Sequence, residues 1–377
     1  MIPIPFYRHD LGQPELDALA KVLAGPILTT GATVAEFEGR FAELLRRRHA
    51  MAVTSCTGAL HMSLLALGIG PGDEVITTPM TFVATATAIM EAGATPVFVD
   101  VEPDTGNLDA NLVGAAITPR TKAILPVHLY GLMCDMRALR KIADAHGLAI
   151  IEDAAHCIEG ERDGIRPGEL GDTACFSFFA TKNMTCGEGG ALVTDNEALY
   201  EKLKLIRLHG MTKTSFDRHR EGYAHWDVPV LGWKYNLSNI DAALLLPQFD
   251  RIASNLERRH ALAERYIDRL GNLPGIRMPQ SRPNTIHARH LFTIWVDGNQ
   301  RDDAMAALRA AGVECVVNYR AIHLLSLLRE RFGFKRGDFP VAESIGEKTI
   351  SLPFYPNMPD AHVDEVGSRL ARILLAS

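Results

Sequence analysis

The fold of this chain depends on one stretch, which reads Cys175-Phe-Ser-Phe-Phe-Ala-Thr-Lys182-Asn-Met-Thr-Cys-Gly-Glu-Gly-Gly190-Ala-Leu-Val-Thr194. Residues 175–178 and 191–194 are apolar and β-favouring, and they predict two strands. The connection between them has no room for the crossover helix that a parallel pair needs. We therefore predict an antiparallel pair, with Lys182 presented from the glycine-rich turn.

Lys182 has two interpretations at this point. A lysine fixed at a strand end, beside glycines that let other groups come close, is a candidate for Schiff-base chemistry. A lone lysine is more often an exposed loop residue. The residues that the rest of the chain brings to this turn decide between the two.

Composition and charge restrict the class of protein. A chain of 377 residues, nearly half of them apolar, is long enough for a large domain with a smaller satellite, or for two domains. Its net charge of −6 comes from mixed charges without a long basic run, which gives no support for nucleic-acid binding. The proline-broken start is unlike a signal peptide, and no apolar run is long enough to cross a bilayer. The six cysteines form no C-x-x-C pair, so we expect reduced cytosolic thiols and no metal site.

Short β-like runs alternate with helical ones over most of the chain. The β-like runs occupy residues 50–54, 74–78, 97–100, 123–127, 149–153, 174–178 and 190–194. Helical periodicity follows most of them, as in residues 57–67 and 135–146. This alternation predicts an α/β fold with a mostly parallel seven-stranded sheet, one antiparallel strand and helices on both faces.

The last third of the chain has a different pattern. Ser238 begins a long helical region, and Pro247 should kink or break it. We place a domain boundary within this region, which gives a large domain over residues 1–250 and a small C-terminal α/β domain over residues 251–377. For the small domain we predict strands at 291–296 and 313–318 and helices at 302–311 and 361–375.

Polar and aromatic residues follow several strands of the predicted sheet. Ligands of parallel α/β sheets bind at the carboxyl ends of the strands. The residues found there, in chain order, are Ser55-Cys56-Thr57-Gly58, Phe82, His128, Tyr130, Asp153, His156, Ser177 and Lys182. Ser55 to Gly58 open a helix, whose free amides bind phosphate, although Ser and Thr are also ordinary helix caps. Phe82 taken alone is more often a core residue.

Together these residues match what pyridoxal phosphate needs. The Lys182 amine forms the Schiff base with the cofactor. Asp153 pairs with the pyridinium nitrogen and keeps it protonated, so that the ring acts as an electron sink. An aromatic side chain covers one face of the ring. The helix N-terminus and Ser177 take the phosphate.

The chain also resembles a known family, the DegT/DnrJ/EryC1/StrS sugar aminotransferases, whose fold is that of aspartate aminotransferase (fold type I). The resemblance runs over nearly the full length. It rests on Gly70-Pro-Gly-Asp-Glu-Val-Ile76, Thr81-Phe-Val-Ala-Thr85, Pro126-Val-His-Leu-Tyr-Gly131, Glu152-Asp-Ala-Ala-His156, Ser177-Phe178, Lys182-Asn183, Gly187-Glu-Gly-Gly190 and Tyr235-Asn-Leu-Ser238. The order and the spacing of these segments both fit the family.

The resemblance implies roles for single residues. It makes Lys182 the Schiff-base lysine and Asp153 the partner of the pyridine nitrogen. It stacks Phe82 on the cofactor ring and puts His156 near the ring substituents. It assigns the phosphate to Cys56, Thr57 and Ser177.

Three positions depart from the family pattern. Cys56 stands where many relatives have glycine, so its phosphate contact would come from the backbone. Phe179 replaces a frequent histidine, and Asn318-Tyr319 replaces a frequent His-Tyr pair ahead of His323. By resemblance Phe179, Tyr319 and His323 face the substrate, so these departures affect the identity of the sugar more than the chemistry.

The implied activity is transamination of a nucleotide-linked keto sugar, with glutamate as amino donor and pyridoxamine phosphate as intermediate. The long loop predicted at residues 211–234, with Tyr223, His225 and Trp226, resembles members that aminate C4 of the sugar. Asn236 is similar to an asparagine that reaches the cofactor phosphate of a neighbouring subunit. The resemblance therefore implies at least a homodimer with shared sites, and the reduced thiols lead us to expect it in the cytoplasm.

Three alternative functions differ in the residues that they require. A pyridoxamine-dependent sugar dehydratase of the same family would carry histidine in place of Lys182. A non-catalytic regulatory protein on this fold would not need the set of Lys182, Asp153 and His156. A nicotinamide-binding enzyme is disfavoured because no G-x-G-x-x-G motif follows the first strand.

Overall fold

A computed structural model describes residues 3–213, 225–297 and 300–375. Its strands are β1 (His49–Val53), β2 (Glu74–Thr77), β3 (Thr95–Phe98), β4 (Thr121–Ile124), β5 (Ala149–Asp153), β6 (Glu161–Arg162), β7 (Thr173–Ser177), β8 (Gly190–Thr194), β9 (Ile276–Arg277), β10 (Thr285–Ile286), β11 (Phe292–Val296) and β12 (Thr349–Leu352). Its helices are α1 (Gln13–Leu23), α2 (Ala32–Leu44), α3 (Cys56–Ala66), α4 (Ala84–Glu91), α5 (Ala110–Val113), α6 (Met136–His146), α7 (Glu197–Arg207), α8 (Asn239–Leu245), α9 (Ile252–Leu270), α10 (Arg301–Ala310), α11 (Ser326–Phe332), α12 (Pro340–Lys348) and α13 (Asp360–Leu375). Short 3₁₀ turns lie at Gly114–Ala116, Leu129–Gly131, Leu246–Arg251 and Ile322–Leu324.

Seven strands form the central sheet in the order β1-β8-β7-β5-β4-β2-β3. The pairs β2–β3, β2–β4, β4–β5 and β5–β7 are parallel. Strand β8 runs antiparallel to both of its neighbours, β1 and β7. The predicted α/β fold with one reversed strand is therefore confirmed.

The reversed strand is the one that the sequence placed after Lys182. Strands β7 and β8 form a hairpin whose last pair is Ser177 opposite Gly190. The long turn between them is held to the strand end by hydrogen bonds from the Phe178 amide to the Gly189 carbonyl and from the Cys186 amide to the Phe178 carbonyl. Because this connection stays at one end of the sheet, it puts Lys182 on the edge where the parallel strands end.

Helices cover both faces of the sheet. Alternate residues of each strand face opposite sides, so a strand supplies two cores at once. In β1, Ala50 and Ala52 face the core formed with α2, α6 and α8. Met51 and Val53 face the core formed with α3, α4 and α7.

The C-terminal part has its own core beside a three-stranded sheet of order β12-β11-β9. Helices α9, α10 and α13 pack on it, close to the predicted positions of the last two. The predicted strand at 313–318 is wrong, because Val313 and Val316 make only isolated bridges, to Ile4 and Ser351. Strand β12 was not predicted. The division of the chain near residue 250 stays a prediction.

The long helical region breaks where proline was expected to break it. Ser238 caps α8 by accepting a hydrogen bond from the Asp241 amide. The 3₁₀ turn with Pro247 at its start then separates α8 from α9.

Of the predicted loop, residues 225–234 contain no helix or strand, while Tyr223 lies outside the described residues. None of the helices within the described ranges is long and apolar enough to cross a membrane.

Candidate active site

A cavity of about 350 Å³ lies where β5 and β7 end and α3 begins. Its walls combine residues from distant parts of the chain. Nine of the residues expected at the site line it, namely Cys56, Thr57, Phe82, Asp153, His156, Ser177, Phe179, Lys182 and Tyr319. The cavity is thus the place where the separate sequence motifs meet.

Lys182 enters this cavity from the hairpin turn. Its backbone amide donates to the Phe179 carbonyl at 2.9 Å, which fixes the start of the turn. Its side-chain Nζ lies 3.5 Å from Nε2 of His290. Burial of the amine lowers the pKa of Lys182 to about 8, although the nearby Cys56 and Asp153 act in the opposite direction. A substantial fraction of neutral amine is therefore present near physiological pH, as a nucleophile or base requires.

Asp153 is the last residue of β5 and is 6% exposed. Its Oδ2 accepts a hydrogen bond from the Thr85 hydroxyl at 2.8 Å, and its Oδ1 accepts one from the Ala155 amide at 3.1 Å. Burial raises the pKa of Asp153, while these two hydrogen bonds and the charge of Lys182 lower it. The carboxylate is fixed in direction, which suits a partner for a cationic ring nitrogen.

The N-terminus of α3 closes one end of the cavity. Ser55 caps this helix by accepting a hydrogen bond from the Gly58 amide at 3.0 Å. The first amides of a helix have no acceptor within the helix, so those of Cys56 and Thr57 suit an anion. A Cβ at Gly190 would lie 2.5 Å from the Cys56 nitrogen, so only glycine lets β8 approach the helix start this closely. The same strand pair brings in Ser177 opposite Gly190.

His156 lies between two tyrosines. The Tyr130 backbone amide donates to its Nδ1 at 3.2 Å, and Nε2 lies 3.0 Å from the Tyr319 hydroxyl. Burial and the charge of Lys182 hold the pKa of His156 well below its usual range. The ring is therefore neutral, its proton sits on Nε2, and it donates to Tyr319. The hydroxyl proton of Tyr319 is left free to face a ligand.

Two aromatic side chains form the open rim. Phe82 is 57% exposed and Phe179 is 43% exposed. The Phe82 ring lies 5.9 Å from that of Tyr319, centroid to centroid. Rings held at the mouth of a cavity are available to a planar ligand, whereas a core role for Phe82 does not fit its exposure.

Two predicted residues do not line the cavity. His323 is fully buried, with Nε2 at 3.0 Å from Oε1 of Glu343, and it packs against Phe339. This placement corrects the expectation that His323 faces the substrate, because its imidazole is already committed inside the protein. Asn236 donates to the Thr30 hydroxyl at 2.6 Å and accepts from Lys234, away from the cavity of its own chain.

Sequence reasoning missed two residues of the site, Thr85 and His290. The sequence did contain a signal for Thr85, because Thr81 precedes it by one helical turn. In the structure the hydroxyls of these two threonines lie 2.8 Å apart. His290 had no local signal. It reaches Lys182 only because the segment before β11 packs against the large sheet.

The donor set fits pyridoxal phosphate. A buried carboxylate suits the pyridine nitrogen, a partly neutral lysine suits the aldehyde, and free helix amides suit the phosphate. Asp153, Lys182 and the start of α3 all border the same cavity.

Comparison with known proteins also supports a pyridoxal phosphate site. The model of the DegT/DnrJ/EryC1/StrS aminotransferase family matches residues 9–371. The spore coat polysaccharide biosynthesis protein SpsC of Bacillus subtilis is 40% identical over 369 residues, which cover 96% of this chain and 95% of SpsC.

Solved structures resemble the chain closely. S. venezuelae DesV, in complex with a ketimine intermediate, has a TM-score of 0.88 and 37% identity, covering 95% of this chain and 93% of DesV. Sugar aminotransferase Spr1654 of Streptococcus pneumoniae, described as putative, has a TM-score of 0.93 and 30% identity in its PMP and PLP forms, covering 99% of each chain. DesI, solved in the presence of its TDP-sugar product, has a TM-score of 0.88 and 32% identity, covering 99% of this chain and 93% of DesI.

Proposed function

Because the chain belongs to the DegT/DnrJ/EryC1/StrS aminotransferase family, we propose that it transfers an amino group from glutamate to C4 of a nucleotide-linked keto sugar. The protein is a sugar aminotransferase that depends on pyridoxal phosphate. One observation carries the assignment to this site, namely that Lys182 and Asp153 lie in a single cavity with the start of α3.

Each part of the site has a task in this reaction. When bound, pyridoxal phosphate supplies an aldehyde that exchanges amines and a ring that withdraws electrons from the carbon next to the amine. Asp153 holds the ring nitrogen in its protonated form. The amides of Cys56 and Thr57, with Ser177, hold the phosphate.

Lys182 has the proton-transfer role. Its amine would hold the cofactor through the aldehyde carbon and would be free once the amino donor occupies that carbon. The free Nζ would then take a proton from the substrate carbon that bears the nitrogen and release it on the other side of that nitrogen. A pKa of about 8 suits both proton uptake and proton release, since the neutral and the protonated amine are both populated near neutral pH.

The nature of the sugar is proposed from the rim of the cavity. Phe179 lies at the rim and Tyr319 lines the cavity wall, so both would contact the sugar, and the Tyr319 hydroxyl has a free proton for an oxygen acceptor. The TDP-sugar product of DesI supports a nucleotide-linked substrate. The sequence resemblance of residues 211–234 and the following Lys234-Tyr-Asn to C4-specific members supports amination at that carbon.

We further propose a cytoplasmic homodimer with shared sites. Asn236 lies outside the cavity of its own chain and is only partly buried, as expected of a residue that serves a neighbouring subunit. Phe82 and Phe179 leave the cavity mouth open on the single chain. A second copy would close it.

The test is a product screen. Purified enzyme with pyridoxal phosphate and glutamate is incubated with nucleotide-linked 3-keto and 4-keto sugars, and mass spectrometry with NMR reads which carbon gains an amine. We expect a 4-amino product with wild-type enzyme and none with Lys182→Ala, which cannot move the proton. A 3-amino product would overturn the choice of carbon. Loss of the sugar hydroxyl without amination would instead indicate the dehydratase alternative.

A further inference from the structure

The Lys182 amine has a neutral neighbour that the proposed reaction has not used. Among the described residues, its hydrogen-bond contact is Nε2 of His290, at 3.5 Å. This distance is at the outer limit of a hydrogen bond, as is common for catalytic contacts before a ligand binds. Cys56, Asp153 and His156 are titratable groups near the amine from other elements, and His156 also lies next to His290.

His290 is held firmly in this position. Its backbone amide donates to the Tyr130 carbonyl at 3.1 Å, and the Ala288 amide donates to the Gly131 carbonyl at 2.8 Å. Its ring lies 4.5 Å from the ring of His156, centroid to centroid. The side chain is 6% exposed, so it has little freedom to turn away from Lys182.

The surroundings keep this imidazole uncharged. Burial, together with the positive charges of Lys182 and Arg259, holds the pKa of His290 well below its usual range. Its Nδ1 is buried without a hydrogen-bond partner in the described part of the protein. A protonated Lys182 amine can only donate, so the lone pair of the neutral ring must lie on Nε2 and the ring proton on Nδ1.

We propose that His290 is a positioning residue, which accepts a hydrogen bond from the free amine of Lys182 and holds that amine in the cavity while it is not bonded to the cofactor. The inference rests on the proposed function of Lys182 as the proton carrier. A carboxylate at this place would pair with the ammonium and keep the proton on it. A neutral acceptor fixes the direction of the amine with a much smaller effect on its proton affinity.

The test measures Lys182 in the cofactor-free protein. Lysines are methylated in competition between pH 6 and pH 10, and mass spectrometry follows the fraction of Lys182 modified at each pH. His290→Phe removes the acceptor and should lower the pKa of Lys182 by roughly half a unit to one unit, since a hydrogen bond to a charged donor favours its charged form. His290→Gln, which can still present an oxygen to Nζ, should restore most of the wild-type value.

Two further variants make the result specific. His290→Asn is polar but too short to reach Nζ, so it should behave like the phenylalanine variant. His287→Gln changes another buried histidine of the same segment and should leave the titration of Lys182 unchanged. An unchanged titration in the folded phenylalanine and asparagine variants would overturn the proposal, and so would an equal shift in His287→Gln. If the phenylalanine variant does not fold, the difference in Lys182 titration between His290→Asn and His290→Gln tests the proposal.

Steady-state kinetics of the loaded enzyme give an independent readout. Poor positioning of the free amine should lower kcat about tenfold in His290→Asn and leave KM for the amino donor within about twofold, because the lost contact is not a substrate contact. A rise in KM with unchanged kcat would contradict the positioning role. If the wild-type enzyme has no activity, the proposed function fails. The methylation experiment would still test whether His290 positions the Lys182 amine.

Discussion

Burial of a single lysine makes the stability of the cofactor-free protein depend on pH. Enclosure lowers the pKa of Lys182 from 10.5 to about 8, so between these values the unfolded chain binds more protons and stability rises with pH. Below pH 8 the full cost of enclosing the ammonium, about 3 kcal/mol, is present. The Lys182→Met variant removes this cost. We expect it to be more stable than wild type by about that amount at pH 7, with the advantage shrinking towards pH 10.5.

Urea unfolding of both cofactor-free proteins at pH 7 and pH 10 measures this difference. Lys202→Met, at an exposed position of α7, is the control, since a solvated amine has no such cost to remove. An advantage of Lys182→Met that is the same at both pH values would show that packing, not charge, is responsible.

At the scale of elements, β8 can approach α3 closely only because residue 190 has no side chain. A Cβ at Gly190 would lie 2.4 Å from the Ser55 carbonyl carbon and 2.5 Å from the Cys56 nitrogen. Gly190→Ala should therefore push the helix start away, at a cost of about 1–3 kcal/mol in unfolding free energy. The displacement should also weaken binding of pyridoxal phosphate. Gly39→Ala is the matched control, because Gly39 lies within α2 with nothing within 4 Å of its added Cβ.

Thermal unfolding and a cofactor titration check both parts of this expectation. The Gly39→Ala protein should be as stable as wild type or slightly more so, since alanine favours a helix over glycine. Equal stability and cofactor affinity in Gly190→Ala would mean that the contact at the helix start is not restrictive.

Elements also show how far sequence reasoning reached. The hairpin that presents Lys182 was predictable because its short connection is a local property. The placement of Asp153 followed from the alternation of strands and helices. Residues 313–318 are β-favouring, but no neighbouring strand forms a continuous ladder with them, so they do not form a strand. His290 and His323 were not correctly anticipated, because the packing of distant segments sets the direction of each ring.

At the scale of the whole molecule, shared sites predict complementation between two inactive proteins. If Asn236 serves the neighbouring subunit, a hybrid of Lys182→Ala and Asn236→Ala chains contains one site with both residues intact. A coexpressed equal mixture should then regain roughly a quarter of wild-type activity, since half of its dimers are hybrids with one such site. Tandem-tag purification of the hybrid and an aminotransferase assay measure this. Activity no higher than that of the separate variants would place Asn236 in its own subunit's chemistry.

The pairing of β1 with β8 also sets an order for biosynthesis. Val53, just before the start of α3, pairs with Gly190, which lies far downstream in the chain. Chains leave the ribosome from the N-terminus, and such distant partners meet late. Until residues 190–194 emerge, β1 lacks its ladder partner and the start of α3 lacks the strand that packs closely against it. The nascent chain therefore cannot capture its cofactor early, and the edge of β1 needs protection from other chains during that interval.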